Sequence, residues 1–468
     1  MIRKIVISSV LFLLISALAT AAIVNIPDDF ATIQAGVDSS GAGDTILVQP
    51  NVYHENIVVD DHPVTLASLF LTTGDTSYIS STVLDGSSVN SVISLDTWQD
   101  SLSAVIGFSI VHGGNTYGGG GVSTNASSTI RNNIIELNSA TRGGGVYSTG
   151  NTLIKDNIIR TNQASVAGGA IITYGGHPVI ENNLIINNIS EVYTGGIHIE
   201  TSQWTIIRDN TILGNVGTSL GGAIVFYTEN EGGEISGNLI AGNGSFTVGA
   251  LSLSFGVYDI FNNTICNNLS LFKAIQFLEY CEADFINNIV WDNVGALDID
   301  TSADVSVTYS DIQGGYAGEG NIESYPLFVD TANADYHLQL GSPCIDTGDP
   351  DWPMDPDSSR ADMGAFYYDH MSGIEDYPGL PRTITLYQNY PNPFNLETVI
   401  SFELPIAGPV TLDIYDLLGR KVSTLVNTDL TSGSHEIKWH ADNLASGMYF
   451  YRLQAGAINV TKKLTLLK

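Results

Sequence analysis

Two asparagines held five positions apart recur seven times, at Asn133 and Asn138, Asn157 and Asn162, Asn183 and Asn188, Asn210 and Asn215, Asn238 and Asn243, Asn263 and Asn268, and Asn288 and Asn293. Successive copies lie 24 to 28 residues apart. A repeat of that period marks a solenoid, whose units bury their apolar faces only on one another. Inside each copy the Ile- and Val-rich runs are short and alternate with polar residues, which is strand spacing. Glycine and asparagine interrupt those runs where an α-helix would have to continue. The predicted fold is therefore all-β, a parallel β-helix whose coils stack about 4.8 Å apart. An asparagine repeated once per coil then meets its counterparts, its amide donating to one neighbour and accepting from the other.

A second column recurs once per coil before a strand, as Gly143-Gly144-Gly145-Val146, Gly168-Gly169-Ala170, Gly195-Gly196-Ile197, Gly221-Gly222-Ala223 and Gly249-Ala250. Glycine is required where the chain turns with positive φ or lies hard against the next coil. No GxxxxGK[ST] run accompanies these glycines and no helix follows, so they do not read as phosphate loops.

Arg3 and Lys4 precede an apolar run over residues 5–18, with small residues at Ala17, Ala19 and Ala21. Residues 1–22 thus read as a secretory signal peptide. The formal net charge is −32, with 49 acidic residues. Such a chain repels nucleic acid, and anionic polysaccharide too unless cations intervene. No later segment is long and apolar enough to span a bilayer. Cys266, Cys281 and Cys344 are too few for a disulfide scaffold and form no CxxC pair. An oxidising compartment permits a Cys266–Cys281 bond; buried free thiols are the other reading.

Further motifs carry a resemblance. The run from Thr32 to Val37, then Gly43 to Val48, then Pro50 to Ile57 is similar to the opening of the pectin-lyase-like right-handed β-helices, where a short amphipathic helix caps the coil. Gly36 and Asn51 stand where relatives carry Ala and Gly. The stretch from His337 to Asp349, with Asp355 to Phe366, resembles the segment that closes many secreted bacterial β-helices. This resemblance covers about residues 24 to 368 and speaks to fold, not reaction. Near the C-terminus, the run from Tyr390 to Asn395, the run from Tyr415 to Arg420, the run from Leu444 to Leu453 and the ending Lys462 to Lys468 resemble the C-terminal sorting domain of type IX secretion substrates. About seven short alternating strands there imply a small Ig-like β-sandwich. The expected domains are a signal peptide (1–22), a right-handed parallel β-helix (23–370), a linker (371–383) and the sorting sandwich (384–468).

Four sets of residues are candidates for chemistry or binding. Arg131, Lys155, Glu181 and Arg208 share one repeat column. Lys155 and Arg208 could serve a polyuronate lyase as proton-abstracting bases, or the column is a solvated charge ladder. His198 and Glu200 are same-face neighbours, either a catalytic pair or a satisfied surface pair. Counting on from the glycines places Tyr147, Ile171, Ile224, Phe226, Leu251 and Leu253 in an outward apolar stripe, with Tyr174 and Tyr227 at its edge. Such a stripe is a binding face or is covered by another segment. The ligand contacts expected from it are Tyr147, Tyr174, His198, Glu200, Phe226 and Tyr227. Finally, Asp349, Asp351, Asp355 and Asp357 offer hard oxygens at short spacing for Ca²⁺, or cap turns in their own loop.

The expectation is a protein secreted or held on the outer surface of a Gram-negative bacterium. Its partners would be the type IX secretion machinery and an extracellular polysaccharide or surface glycan, with no nucleic acid and no membrane span once the signal is removed. A polysaccharide lyase or glycoside hydrolase is the second reading, and a structural surface spacer the third.

Overall fold

The seven coils from Asn133 to Asn293 bend at their asparagines. The residue before each is left-handed, with φ of 56° at Asn132, 55° at Asp156, 53° at Asn182 and 55° at Asp209. Asn and Asp tolerate that region better than other side-chain residues. The asparagine that follows turns inward and is 2 % exposed or less in these coils. Asn157 shows how its polar atoms are paired. Its Oδ1 accepts the backbone N–H and the Nδ2 of Asn133, both at 3.0 Å. Its own N–H and Nδ2 donate to Asn183 Oδ1, both at 3.0 Å. Nδ2 also donates to the Ile130 carbonyl at 2.8 Å. The pattern runs unbroken from Asn133 to Asn288 and, in parallel, from Asn138 to Asn293. It starts where the N–H groups of Phe108 and Gly113 donate to Asn133 and Asn138, and one column ends on Ser310 Oγ.

The computed structural model describes residues 21–96, 102–295, 297–370, 385–404, 408–416, 420–430, 433–441, 444–455 and 458–467. Signal-peptide residues up to 20, the expected linker over 371–383 and the turn over 417–419 lie outside them. The chain divides into two compact units, Met1–Asp369 and His370–Lys468.

In the first unit, among the described residues, parallel strands stack into a twelve-stranded sheet A, an eleven-stranded sheet B and a ten-stranded sheet C. A five-stranded sheet D is added in the middle coils. One coil runs Ser128–Arg131 in A, Ile134–Glu136 in B, Ser139–Arg142 in D and Val146–Ser148 in C. One asparagine separates A from B and the other separates B from D. The glycine column forms the corner from D into C. Inward residues stack in register, as in Ile130, Ile154, Ile180 and Ile207 of sheet A, all 0 % exposed. Each such side chain contributes about 1.5–3 kcal/mol of burial, so the column holds the coils together.

The helix Ile33–Ser39 closes the first coil. Thr32 caps it, and the Glu55 carboxylate accepts the N–H groups of Ile33 and Gln34, each at 3.0 Å. A Cβ on Gly36 would lie 2.8 Å from Ile26 Cδ1, so glycine lets this helix sit close to the coil. At the other end, Phe328, Tyr336, Leu338, Cys344 and Met363 cover the outer face of sheet B, over Leu239, Cys266 and Ile289. All three cysteines are buried free thiols. Cys281 packs in the solenoid interior while Cys266 packs under the closing segment.

The second unit has two antiparallel sheets around one core. Thr385–Leu386, Glu397–Leu404 and Gly433–His440 form one sheet. Gly408–Tyr415, Lys421–Leu430, Gly447–Ala455 and Ile458–Leu466 form the other. Phe402, Leu412, Tyr451 and Leu464 lie in their shared core. The Tyr451 hydroxyl donates to the Tyr387 carbonyl at 2.7 Å and accepts the Asn389 N–H at 2.9 Å. Asn392 Oδ1 accepts the Thr465 N–H at 2.9 Å, tying the motif loop to the last strand.

Candidate functional site

The glycine corner brings sheet D against the outer face of sheet C. A Cβ on Gly118 would lie 2.5 Å from the Tyr147 ring, one on Gly168 2.9 Å from Ile172, and one on Gly221 2.3 Å from Val225. Close approach is therefore a second reason for these glycines, beside the positive φ at Gly143 and Gly168. The contact buries Tyr147, Ile172, His198 and Val225, members of an outward column of sheet C that reads Ser123, Tyr147, Ile172, His198, Val225 and Ser252 in register. The next outward column holds Tyr174, Glu200 and Tyr227.

A strip of aromatic rings results. Tyr117, from sheet D, meets Tyr147 edge-on at 5.8 Å, and Tyr147 meets Tyr174 at 5.6 Å. Tyr193 stacks on Tyr227 at 5.7 Å and on His198 at 6.1 Å. Between the two groups stand Arg142 and Glu200, 3.7 Å apart. Arg142 also lies over the Tyr174 ring, 5.7 Å from its centroid, and donates to the Tyr174 hydroxyl. His198 is 0 % exposed. Its Nε2 is 3.0 Å from Glu200 Oε1 and its Nδ1 2.9 Å from Thr194 Oγ1. Burial pushes the His198 pKa down, against the opposing pull of Glu200, which keeps the ring neutral. Desolvation, then the hydrogen bond with Tyr117, pushes the Tyr147 phenol up to about 12. Tyr117 and Tyr227 remain open to solvent, at 67 % and 37 % exposure.

Five of the six expected ligand contacts, Tyr147, Tyr174, His198, Glu200 and Tyr227, thus share one strip. The sixth does not. Phe226 is 1 % exposed and packs edge-on against Tyr258 inside the solenoid. Ile171, Ile224, Leu251 and Leu253 are interior too, so the expected apolar stripe is corrected. The true register pairs Gly145 with Ala170 and Gly196 with Ala223, so the last small residue before each strand can be alanine. Counting from glycines alone slips by one in those coils, and one residue exchanges the faces of a strand. Arg142, Tyr193 and Tyr117 have no repeated counterpart in sheet D or at its corner, where only the small residues recur, so no sequence column points to them.

The other candidates lie elsewhere. Lys155 and Arg208 project from sheet A, away from His198 and Glu200 on sheet C, so the four do not form one constellation. Glu181 stands between them, 2.7 Å from Lys155 Nζ and 2.6 Å from Arg208 Nη2. The Lys155 hydrogen bond is the largest of the effects that hold its carboxyl below the usual range. These groups, with Asn182 and Asp209, line an open hollow of about 520 Å³. The aspartates of the closing loop serve its own turns. Asp349 Oδ1 accepts the Asp351 N–H at 2.9 Å, Asp357 Oδ1 accepts the Ser359 N–H at 2.9 Å, and Asp355 Oδ2 accepts the Asp362 N–H at 2.9 Å. Arg360 donates to the Gly348 carbonyl at 2.6 Å. Among the described residues, no three His, Cys, Asp or Glu side chains are placed to hold a metal ion.

Stacked parallel coils with asparagine columns define a β-solenoid protein. Residues 80–240 match the right handed beta helix region family, and residues 388–466 match the secretion system C-terminal sorting domain. The chain is a right-handed β-helix protein carrying a secretion-system sorting domain, and that domain marks it as secreted or cell-surface and as a client of the secretion machinery. No curated protein and no solved structure matches the chain. Among the described residues, no helix is long and apolar enough to cross a membrane.

Proposed function

We propose that this protein, delivered through type IX secretion to the surface of a Gram-negative bacterium or beyond it, binds an extracellular glycan along the tyrosine strip. The observation that carries the reading is the strip itself: five tyrosines and the Arg142–Glu200 pair gathered along one wall of the solenoid. Aromatic faces with a few convergent polar groups are the usual lining of a small-ligand or sugar site. A glycan array probed with the folded chain is the test. Binding that falls at least tenfold in Tyr174→Ala and Tyr227→Ala supports the reading; a blank array leaves the β-helix a structural spacer.

A polysaccharide lyase is the second reading, favoured by the hollow that presents Lys155 and Arg208 together. Polyuronate incubated with the protein and Ca²⁺ would then yield an unsaturated, ultraviolet-absorbing product, and Lys155→Ala or Arg208→Ala would abolish it. Both cations are engaged by Glu181, which places this reading second.

A further inference from the structure

Resting on the glycan reading, we infer that the ligand is an uncharged polysaccharide laid parallel to the solenoid axis, with the Arg142–Glu200 pair as its polar reader. Charge argues for the first part. Arg142 is engaged by Glu200 and by Tyr174, and the strip holds no other lysine or arginine among the described residues. His198 is wholly buried, which disfavours its charged form, and the Thr194 hydroxyl can donate to Nδ1 of the neutral ring. A uronate carboxylate would have to displace Glu200 from Arg142, within a chain whose net charge is −32. A sugar hydroxyl needs no such displacement. It can donate to Glu200 and accept from Arg142 while the two stay together.

Spacing argues for the second part. Tyr117, Tyr147, Tyr174, Tyr193 and Tyr227 come from five successive coils, so the strip runs about 19 Å along the axis at about 4.8 Å per coil. One coil is about as tall as a pyranose ring is long. A chain lying along the axis therefore offers about one sugar per coil, while a chain lying across it meets only one or two of the rings. The polar pair sits midway, where it reads a central sugar and leaves the ends to stacking.

Calorimetric titration of the full chain with neutral glucans, xylans and mannans, and with polygalacturonate and alginate, tests both parts. A neutral polymer should bind, with affinity rising with oligosaccharide length up to four or five sugars. Glu200→Gln and Tyr174→Ala should each weaken it about tenfold or more, while Tyr280→Ala, on another surface, leaves it unchanged. Tighter binding of polyuronates overturns the uncharged ligand, and a plateau at the disaccharide overturns the axial placement. Indifference to Glu200→Gln removes the polar reader. Failure to bind any glycan of either charge sinks the glycan reading itself, and this inference with it.

Discussion

The position before each ladder asparagine must be left-handed, and the chain does not always place a suitable residue there. Leu137 has φ of 58° and is 54 % exposed. A left-handed leucine costs about 1–2 kcal/mol, much of which Asn recovers. Leu137→Asn should therefore raise stability by about 1 kcal/mol, seen as a higher calorimetric midpoint. The ladder positions themselves behave oppositely. Asn183→Ala would strip the acceptor from Asn157 N–H and Nδ2 on one side and, on the other, take away one of the two donors to Asn210 Oδ1, the backbone N–H of residue 183 remaining. With each buried orphan costing about 1–3 kcal/mol, a loss of about 3 kcal/mol or more is expected in denaturant unfolding. His198 gives a pH signature. Its folded pKa lies below the ordinary 6.5, so the unfolded chain takes up the proton first as pH falls. The stability tied to a neutral His198 is whole above about pH 6.5 and declines below it. Between pH 7.5 and 5 the native chain should lose more stability than His198→Gln; equal losses would mean that the folded state accommodates the imidazolium.

At the scale of strands and corners, the asparagine columns could be read directly because their five-residue interval never varies, and the geometry demands that constancy. The wall of sheet C was harder. What its corner requires is a small residue with room for a neighbouring backbone, and Ala170, Ala223 and Ala250 meet that need as glycine does. Tyr147 and His198, which follow Gly145 and Gly196, were placed correctly on the outer face, whereas the residues after the alanines were placed on the wrong one. The cation of the strip was invisible for a different reason. Arg142 lies on sheet D, whose strands vary in length and share no pattern, so only the folded corner brings it to Glu200. The corner can be tested by comparing two glycines. Gly168→Ala sets a Cβ 2.5 Å from the Ile171 carbonyl at φ +66°, whereas Gly43→Ala meets nothing within 4 Å at φ +87°. Both bear left-handed strain, so the further fall in melting midpoint expected of Gly168→Ala measures the corner contact.

For the whole molecule, each unit has a hydrophobic core of its own. Removing residues 370–468 should abolish export, with the truncated chain retained in the periplasm on cell fractionation. Within the asparagine columns, every hydrogen bond between coils joins residues 22 to 31 positions apart. No part of these columns must wait for distant sequence before it can form. The last finished coil acts as the growth face of a crystal does, offering a complete template to whatever segment arrives next. A chain delivered from its N-terminus can lengthen this way as it appears, from the end already sealed by the helix Ile33–Ser39. Interrupted at any point, it would leave bare only the rim of its newest layer.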